Sequence, residues 1–404
     1  MITLPSGVVP VQDLTTRQIL YGARETSHRF ELLSHDPATG LDSLAGYLDG
    51  VEPGGSLRWS AGGRVKKRGN LTVLDLVTAN PGQVRIADVN LVTTRIRPVR
   101  VVEGLPETPL GVYVLTASPE VWADTGRSYG LELHDKSTVL DEDAVENSFT
   151  AGVSDTVLEI VQGVVESAGE TISVDGSDVR SLKTSMVWDA GTSKLSIVND
   201  LLGALNYRSL WVDGVGAFRA TPYVRPADRS IRYQMLSDAG GPLVRELVDG
   251  DESIFSPEWT RDRDTYKVPN KVIAIAQGTG DTEPLTGTAT NENPDSPFSF
   301  QARGRWIVRV LDNVDVPDFS GEADPEAATI AFLEAKAQQS LIASSAVQAA
   351  VAVACLPIPL ELSDAIRFAS APAGIDARHT VRSVDLSLSF DGLMGLELME
   401  VVDL

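Results

Sequence analysis

The chain has 404 residues, of which 56 are acidic and 34 basic, so its formal net charge at pH 7 is −22. A surface this acidic argues against binding to nucleic acid or to an anionic membrane. Hydrophobic residues make up 43% of the sequence and charged residues 22%, which is typical of a globular chain rather than a disordered one. At roughly 100–200 residues per domain, the length predicts two to four domains.

The single cysteine, Cys355, excludes an intramolecular disulfide and a cysteine-based metal site. Its apolar neighbours favour a buried small hydrophobe over a reactive thiol. The N-terminus lacks the basic region and apolar core of a signal peptide. The most apolar run, 349–360, is shorter than the about 20 residues of a membrane span and contains Pro357 and Pro359. We therefore expect a soluble protein without stable membrane insertion, made in a reducing compartment.

Residues 1–140 read as β structure and are predicted to form the first domain. Apolar runs alternate with clusters of Gly, Pro, Asn and Asp, and no long helix intervenes. This spacing is typical of a small barrel or a sandwich rather than a parallel sheet. The strands are predicted at Arg29–Leu33, Leu57–Ser60, Leu71–Leu76, Arg95–Val102, Leu110–Thr116 and Ser128–His134.

Residues 141–235 are predicted to form an α+β insertion with two helices and a hairpin. The first helix is predicted to be capped by Ser154 and to end at Gly169. The second begins after Thr192 or Ser193, whose hydroxyl can accept a free backbone N–H. The hairpin is predicted at Leu210–Val212 and Ala217–Arg219, around the turn Asp213–Gly216.

Residues 236–310 are predicted to start a second β domain. Tyr266–Ala276 predicts a strand whose Pro269 places its first half at a sheet edge. The segment near 278–300 is rich in Gly, Thr, Asp, Asn and Pro and predicts a long loop. Another strand is predicted at Gly304–Val310.

Residues 311–356 are predicted to form a helical insertion, with a helix that starts at Asp324-Pro325-Glu326. Residues 357–404 are predicted to complete the second β domain. Their last hairpin turns near Asp391-Gly392, and its alternating pattern requires a bulge or a wider loop at Asp391–Leu393.

Motifs for catalysis, cofactor binding and metal binding were sought, and none is predicted. The sequence lacks zinc, nucleophile-elbow, Ser-x-x-Lys and phosphate-loop motifs. Asp141-Glu142-Asp143 lacks the ligand alternation of a calcium loop and is predicted to be a solvated acidic turn. A pair of carboxylates for glycoside hydrolysis stays open, since any two acids at the right spacing would qualify.

One local contrast in charge stands out, since Arg64, Lys66, Lys67 and Arg68 place four cations within five residues of an acidic protein. Two interpretations stand. The run is a solvated hairpin tip, or it is a docking loop for an acidic neighbouring subunit, where complementary charge fixes register and association rate. On the second interpretation, reversing all four cations to glutamate leaves folding intact and weakens assembly.

Beyond these motifs, the chain resembles the minor tail proteins of actinobacterial siphophages, which are similar to the baseplate or tail hub proteins of other tailed phages. The resemblance covers nearly the whole chain and contains no active-site motif. The segments that carry it are Gly50–Leu76, Leu110–Leu140, Val187–Arg229, Ser256–Gln277, Asn293–Val310 and Pro357–Val401.

The resemblance implies a β-rich α+β fold, with two related small β-barrel domains and α/β insertion domains. It implies a homotrimer whose six barrels form a ring of pseudo-sixfold symmetry that matches a hexameric tail tube. Its partners would be distal tail and tail tube proteins, the tape measure protein, and other minor tail proteins or fibres. The implied location is the tail tip of the virion, after assembly in the host cytoplasm. A lytic activity would reside on a partner, since the chain stops after its last hairpin.

Two rival functions remain open. A tail-associated cell-wall hydrolase requires a clustered acid pair or a metal site. A tip protein that binds host glycans requires exposed aromatic platforms, whereas the six tryptophans mostly lie in predicted strands or helix entries and are expected in cores. On the hub hypothesis, acidic residues line the channel and repel the passing DNA within about 8 Å in physiological salt.

Overall fold

A computed structural model of the protein describes Ile19 and residues 24–124, 126–237, 251–252, 255–262, 268–276, 283–346 and 350–401. The start of the predicted strand, Tyr266 and Lys267, and residues 278–282 of the predicted loop lie outside these residues. Within the described part, no helix is both long enough and apolar enough to cross a membrane.

The first third of the chain is built from strands, as its alternating pattern predicts. Each of the six predicted strands overlaps an observed one, and a short 3-10 helix at Ile86–Asp88 lies between β4 and β5. The strands are β1 (Thr26–Asp36), β2 (Leu41–Tyr47), β3 (Ser56–Ser60), β4 (Lys67–Leu74), β5 (Thr94–Val102), β6 (Thr108–Pro109), β7 (Tyr113–Ala117), β8 (Glu120–Ala123) and β9 (Gly126–Asp135).

A helical region follows, which we call the first insertion (residues 137–220). Both predicted helices and the predicted hairpin are confirmed, but the prediction of Ser154 as a cap is wrong, because Thr156 is the N-cap of the first helix and makes no side-chain hydrogen bond there. Ser193 caps the second helix, because its hydroxyl accepts the Ser196 backbone N–H at 3.2 Å. The elements are α1 (Ser137–Glu142), β10 (Phe149–Ala151), α2 (Val157–Glu166), β11 (Ile172–Val174), β12 (Met186–Trp188), α3 (Lys194–Ala204), β13 (Trp211–Val212) and β14 (Phe218–Ala220).

After a 3-10 helix at Pro226–Asp228, strands return as β15 (Ile231–Ser237), β16 (Asp251–Glu252) and β17 (Phe255–Asp262). The second insertion (residues 271–346) then packs one long helix on a three-stranded sheet. Asp324 caps this helix, since its Oδ1 accepts the Ala327 backbone N–H at 3.1 Å. The elements are β18 (Lys271–Ala276), β19 (Thr286–Thr290), α4 (Phe300–Arg303), β20 (Val308–Val314) and α5 (Pro325–Ala346).

The prediction of a long loop near 278–300 is wrong at β19, which pairs antiparallel with β18. Three β-branched threonines favour the extended backbone there. Gly287 allows the close approach to α5, because a Cβ at that position would lie 2.3 Å from the Glu334 backbone nitrogen. The glycine and the threonines that indicated a loop therefore belong to a strand that packs closely against a helix.

The chain ends in four strands separated by turns, with a 3-10 helix at Ala371–Ala373. They are β21 (Ala350–Cys355), β22 (Ala365–Ser370), β23 (Ile375–Ser387) and β24 (Met394–Glu400). β21 belongs to the main sheet, so the predicted helical insertion of 311–356 includes a strand at its end. The last hairpin has the predicted wider loop, since Leu386 lies opposite Met394.

The strands of the main sheet follow the order β16-β15-β22-β23-β3-β4-β9-β7-β5-β1-β2. β23 also pairs with β24, β24 with β21, and β21 with β17. The first β region and the C-terminal strands are therefore hydrogen-bonded directly, with Trp59 of β3 opposite Val384 of β23. No closed barrel is found among the described strands, so the prediction of two barrel domains is not confirmed. The β-rich α+β class is confirmed.

Three apolar clusters hold these layers together. The largest combines both β regions, for example Leu57 and Leu131 with Phe368 and Leu398. A second cluster lies inside the first insertion, and a third lies between α5 and the sheet of the second insertion. Burial at about 25 cal/mol per Å² of apolar surface makes each cluster a cohesive unit.

Candidate functional site: a basic loop at the junction of three regions

The basic residues 64–68 lie on the hairpin that joins β3 to β4. Its turn is formed at Ala61 and Gly62, and Gly63 is required because a Cβ there would lie 2.7 Å from the Val65 carbonyl oxygen. Trp59 lies opposite Lys67 in the hairpin. The structure thus confirms a hairpin at this place, and each of the four cations has a different environment.

Arg64 contacts the first insertion. Its guanidinium forms an ion pair with Asp141 of α1 and donates to the Ser193 hydroxyl at 2.5 Å and the Ser196 hydroxyl at 3.0 Å. Since Ser193 also caps α3, one arginine links the tip of the hairpin to the start of that helix. The side chain remains half exposed.

Lys66 contacts the same insertion through Ser209, whose hydroxyl lies 2.8 Å from the lysine Nζ. Burial lowers the pKa of Lys66 to about 8. A lysine with a lowered pKa beside a serine is also the arrangement of Ser–Lys hydrolases. Such chemistry needs free donors for an oxyanion, but the flanking N–H groups of Arg208 and Leu210 are bonded to Thr221 and Asn199. What the structure shows here is a hydrogen bond that joins the hairpin to the first insertion.

Lys67 points into the protein and is only 2% exposed. Its Nζ lies 2.9 Å from Glu361 Oε2 and 4.6 Å from the centre of the Trp59 ring. Its backbone N–H donates to Asp135 at 2.7 Å. Burial raises the pKa of the Glu361 carboxyl, and the charge of Lys67 opposes that shift. This pair joins the first β region to the segment before β22.

Two more charged groups complete the junction around Glu361. Burial raises the pKa of Asp364, and Arg232, whose NH1 lies 3.1 Å from the carboxylate, opposes the rise. Asp364 also accepts the Glu361 backbone N–H at 2.8 Å. The first insertion contacts the junction through Arg208, which donates to the Leu362 carbonyl at 3.2 Å. Three regions of the chain thus meet at paired charges.

Arg68 is exposed on β4, and its charge adds to the burial that lowers the pKa of His134 on the next strand. Of the four cations, Arg64 and Arg68 are accessible to a partner, whereas Lys67 is not. The hypothesis of a docking loop stays a prediction for those two. Reversal of Lys67 would place an acid against Glu361, so for this residue we now expect the reversal to destabilise the fold.

A second buried charge cluster fixes the first insertion to the sheet, and the sequence analysis did not identify it. Glu170, which follows α2, forms an ion pair with Arg95 and lies 2.7 Å from Lys136 Nζ. Both cations also contact Asp42, at 2.8 and 3.1 Å. His35 bonds the same carboxylate at 2.9 Å. All four charged groups are nearly inaccessible to solvent.

The prediction of a turn at 141–143 is wrong, because Asp141 and Glu142 end α1 and Asp143 is its C-cap. Asp141 pairs with Arg64, and Asp143 lies 2.6 Å from Lys194 Nζ. Across the described residues, no group of three or more His, Cys, Asp or Glu side chains is placed to hold a metal ion.

The six tryptophans differ in exposure, and Trp211 and Trp259 are partly buried. Trp59 and Trp188 lie in cores, as expected. Trp122 on β8 is 73% exposed and Trp306 before β20 is 36% exposed, so the expectation of core positions is wrong for these two. The apolar residues around these two tryptophans gave no indication in the sequence that their side chains are exposed.

The sequence matches no family profile and no curated protein. The fold, in contrast, is similar to solved structures. The tail protein from Neisseria meningitidis MC58 matches with a TM-score of 0.59 and 10% identity, over 93% of this chain and 96% of that one. The 43 kDa tail protein of prophage MuSo2 from Shewanella oneidensis matches with a TM-score of 0.57 and 12% identity, over 93% and 98%.

A chain of the Francisella PdpA-VgrG complex is similar as well, with a TM-score of 0.50 and 9% identity, over 96% of this chain and 61% of that one. At such identities the likeness concerns the fold alone. The chain therefore has the fold of phage tail proteins, and the resemblance read from its sequence is confirmed at that level.

Proposed function

We propose that this protein is a structural component of a phage tail, located at its distal end, where three copies form a hub ring. The observation that carries the proposal is the fold, which matches two tail proteins over nearly the full length of all three chains. Each copy contributes two β regions, so a trimer presents six and adapts a hexameric tail tube to the tip. The domain limits at 140, 235, 310 and 356 belong to the same proposal.

The burial and the pairing of the charged groups support a structural role for the protein. Lys67, Arg95 and Lys136 are buried against acids that join separate regions of the chain. Buried pairs of this kind hold a geometry, because removal of one partner leaves an uncompensated charge. A ring subunit needs such fixed geometry and needs little chemistry.

The net charge suits a channel for DNA. If the excess acids line the lumen, they repel phosphates spaced about 1.7 Å apart along the duplex axis. DNA then slides during ejection rather than sticking to the wall. A trimer with a basic lumen would contradict this part of the proposal.

The mass and symmetry of the purified particle test the proposal. We expect native mass spectrometry to give three times the chain mass, and electron microscopy to give threefold class averages with a central hole. In isolated virions, antibody labelling is expected at the tail tip together with tail tube and tape measure proteins. A monomer, or labelling along the tube, would contradict the hub.

A second candidate, recognition of host glycans, is favoured by the exposed Trp122 and Trp306, because aromatic rings are platforms for binding. A glycan array with the wild-type chain and Trp122→Ala distinguishes it from the hub. The hydrolase alternative is tested by a zymogram on peptidoglycan, for which we expect no clearing.

A further inference from the structure

Among the residues that the structure describes, none covers one face of the sheet in the second insertion. α5 packs on the face that carries Val272, Ala274 and Ala276, all buried. On the opposite face, Val308 and Val310 are 49% and 45% exposed, next to Lys271 and Ile273 in the register of β18 and β20. Trp306 extends this row. We call the row Trp306, Val308, Val310, Ile273 and Ile275 the outer sheet face.

A second exposed apolar feature is the hairpin of β8 and β9, whose residues Glu120–Asp124 we call the Trp122 tip. All four residues of β8 are exposed, and Val121 reaches 57%. Among the described strands β8 pairs only with β9, so its other edge is free. An exposed apolar edge strand is a template for pairing with another chain.

The two features carry opposite charges. On the outer sheet face, Lys271 Nζ lies 5.6 Å from the Trp306 ring centre and Arg305 is exposed beside it. The only acid of β20, Asp312, lies at the other end of the strand. On the Trp122 tip, Glu120 and Asp124 are exposed. The neighbouring cation, Arg127, lies 5.0 Å from the centre of the Trp122 ring and pairs with Asp75 at 2.6 Å and with Glu120 at 3.4 Å, which leaves Asp124 as the acid that Arg127 does not neutralise.

These charges decide which surfaces can meet. Two outer sheet faces brought together would oppose Lys271 and Arg305 to their own copies, and two tips would oppose Glu120 and Asp124. Like charges across an interface are unfavourable, whereas tip against face pairs opposite charges. A contact between different patches on identical chains is heterologous and produces a ring when the rotation closes.

We propose that the Trp122 tip of one copy docks on the outer sheet face of a second copy. The inference rests on the proposed trimer and names the surfaces that close it. Trp122 and Val121 supply the apolar contact with Val308 and Val310, and the flanking charges set the orientation. The partner is therefore another copy of this chain, bound through two different patches of its surface.

Cysteine cross-linking tests the contact directly. Cys355, the only native cysteine, is buried, so engineered surface thiols are the reactive ones. Ala123→Cys combined with Val308→Cys is expected to yield, under mild oxidation, covalent species of two and three chains. The matched control combines Val92→Cys, at a position that is 93% exposed and outside both patches, with Val308→Cys and is expected to stay uncross-linked.

Charge reversal gives a second test. Glu120→Lys with Asp124→Lys is expected to weaken self-association about tenfold or more, and so is Lys271→Glu with Arg305→Glu. All four changes together are expected to restore association, because the pairing is complementary again. Reversal of two exposed acids of the first insertion, Glu146→Lys with Glu159→Lys, is the control that should leave association unchanged.

The outcomes separate this inference from the proposed function. A wild-type trimer that is neither cross-linked nor weakened by the reversals overturns the inference and leaves the hub standing. A wild-type chain that stays monomeric at high concentration and is not cross-linked overturns both. If Trp122→Ala abolishes binding to host glycans while the mass is unchanged, the tip serves host recognition and the inference is overturned.

Discussion

The two insertions are built alike, from helices packed on short strands, but they are held in different ways. The first is fixed to the main sheet by Arg64 and by the buried charges around Glu170. The second contacts the first through Lys336, which donates to the Gly203 carbonyl at 2.5 Å, and through the Asp318 N–H, bonded to the Ser181 carbonyl at 2.8 Å. The first insertion is thus a support, and the second presents an uncovered face.

The largest effect is expected where the first insertion meets the sheet. Glu170→Gln removes the carboxylate shared by Arg95 and Lys136, and it leaves two buried cations with Asp42 alone. We expect a loss of about 4 kcal/mol in the free energy of unfolding, measured with urea. The exposed Glu166→Gln is the control, with a change below about 0.5 kcal/mol. Equal losses of stability in the two variants would contradict the conclusion that the buried charges around Glu170 fix the first insertion to the main sheet.

A contrast between apolar positions comes next. Leu201 is buried in the core of the first insertion, and Leu201→Ala is expected to cost about 3 kcal/mol through the lost packing and the cavity. Val310→Ala on the outer sheet face is expected to change stability by less than about 0.5 kcal/mol. Its effect should appear instead in the association constant, read by analytical ultracentrifugation. A large loss of stability at Val310 would mean that the face is covered within the chain.

The contact between the insertions gives a pH dependence. Burial lowers the pKa of Lys336 to about 8, and Asp315 partly opposes this. Asp200, which accepts the Trp188 indole N–H at 2.9 Å, raises the pKa of Asp315 together with burial. Below pH 8 both folded and unfolded chains hold the lysine proton, so the folded state carries the full cost of the buried charge.

From pH 8 to about 10.5 the unfolded chain keeps a proton that the folded chain has lost, so stability rises with pH. We expect a rise of about 2 kcal/mol in the wild-type chain relative to Lys336→Met. Urea unfolding at pH 7, 8.5 and 10 measures it for both proteins. Parallel pH curves for the two proteins would contradict a buried lysine at this contact.

The smallest effect is expected at the basic hairpin. Arg64 is half exposed, so its ion pair with Asp141 is screened by water. Arg64→Ala is expected to cost about 1 kcal/mol or less, and Arg68→Ala about zero. Thermal unfolding measures both. If either variant weakens assembly without changing the melting temperature, the docking hypothesis for that residue gains support.

Local pattern predicted most of the elements, because side-chain periodicity and caps act over a few residues. Ser193 and Asp324 were identified as caps in this way. β19 was missed, because its Gly287 and threonines are typical of a loop unless a helix lies against them. Whether strands close into barrels depends on their order in space, which no short window of sequence contains.

The candidate site illustrates the same limit. The density of positive charge identified residues 64–68, but their partners lie far along the chain, at Ser193, Ser209 and Glu361. Sequence could not show that Lys67 is buried while Arg68 is exposed, although the two are neighbours. The alternation of side chains along a strand predicts that one neighbour is buried and the other exposed. Which of the two is buried can be predicted only once the face of the strand that packs on the core is known.

The pairing of β3 with β23 has a consequence for synthesis of the protein. Leu57 and Trp59 lie against Leu386 and Val384, so β3 gains this neighbouring strand only after the two insertions between them have been synthesised. Contacts this distant in sequence slow folding. A chain that is cut before β23 therefore keeps this edge of β3 unpaired, and an unpaired edge strand is a template for aggregation.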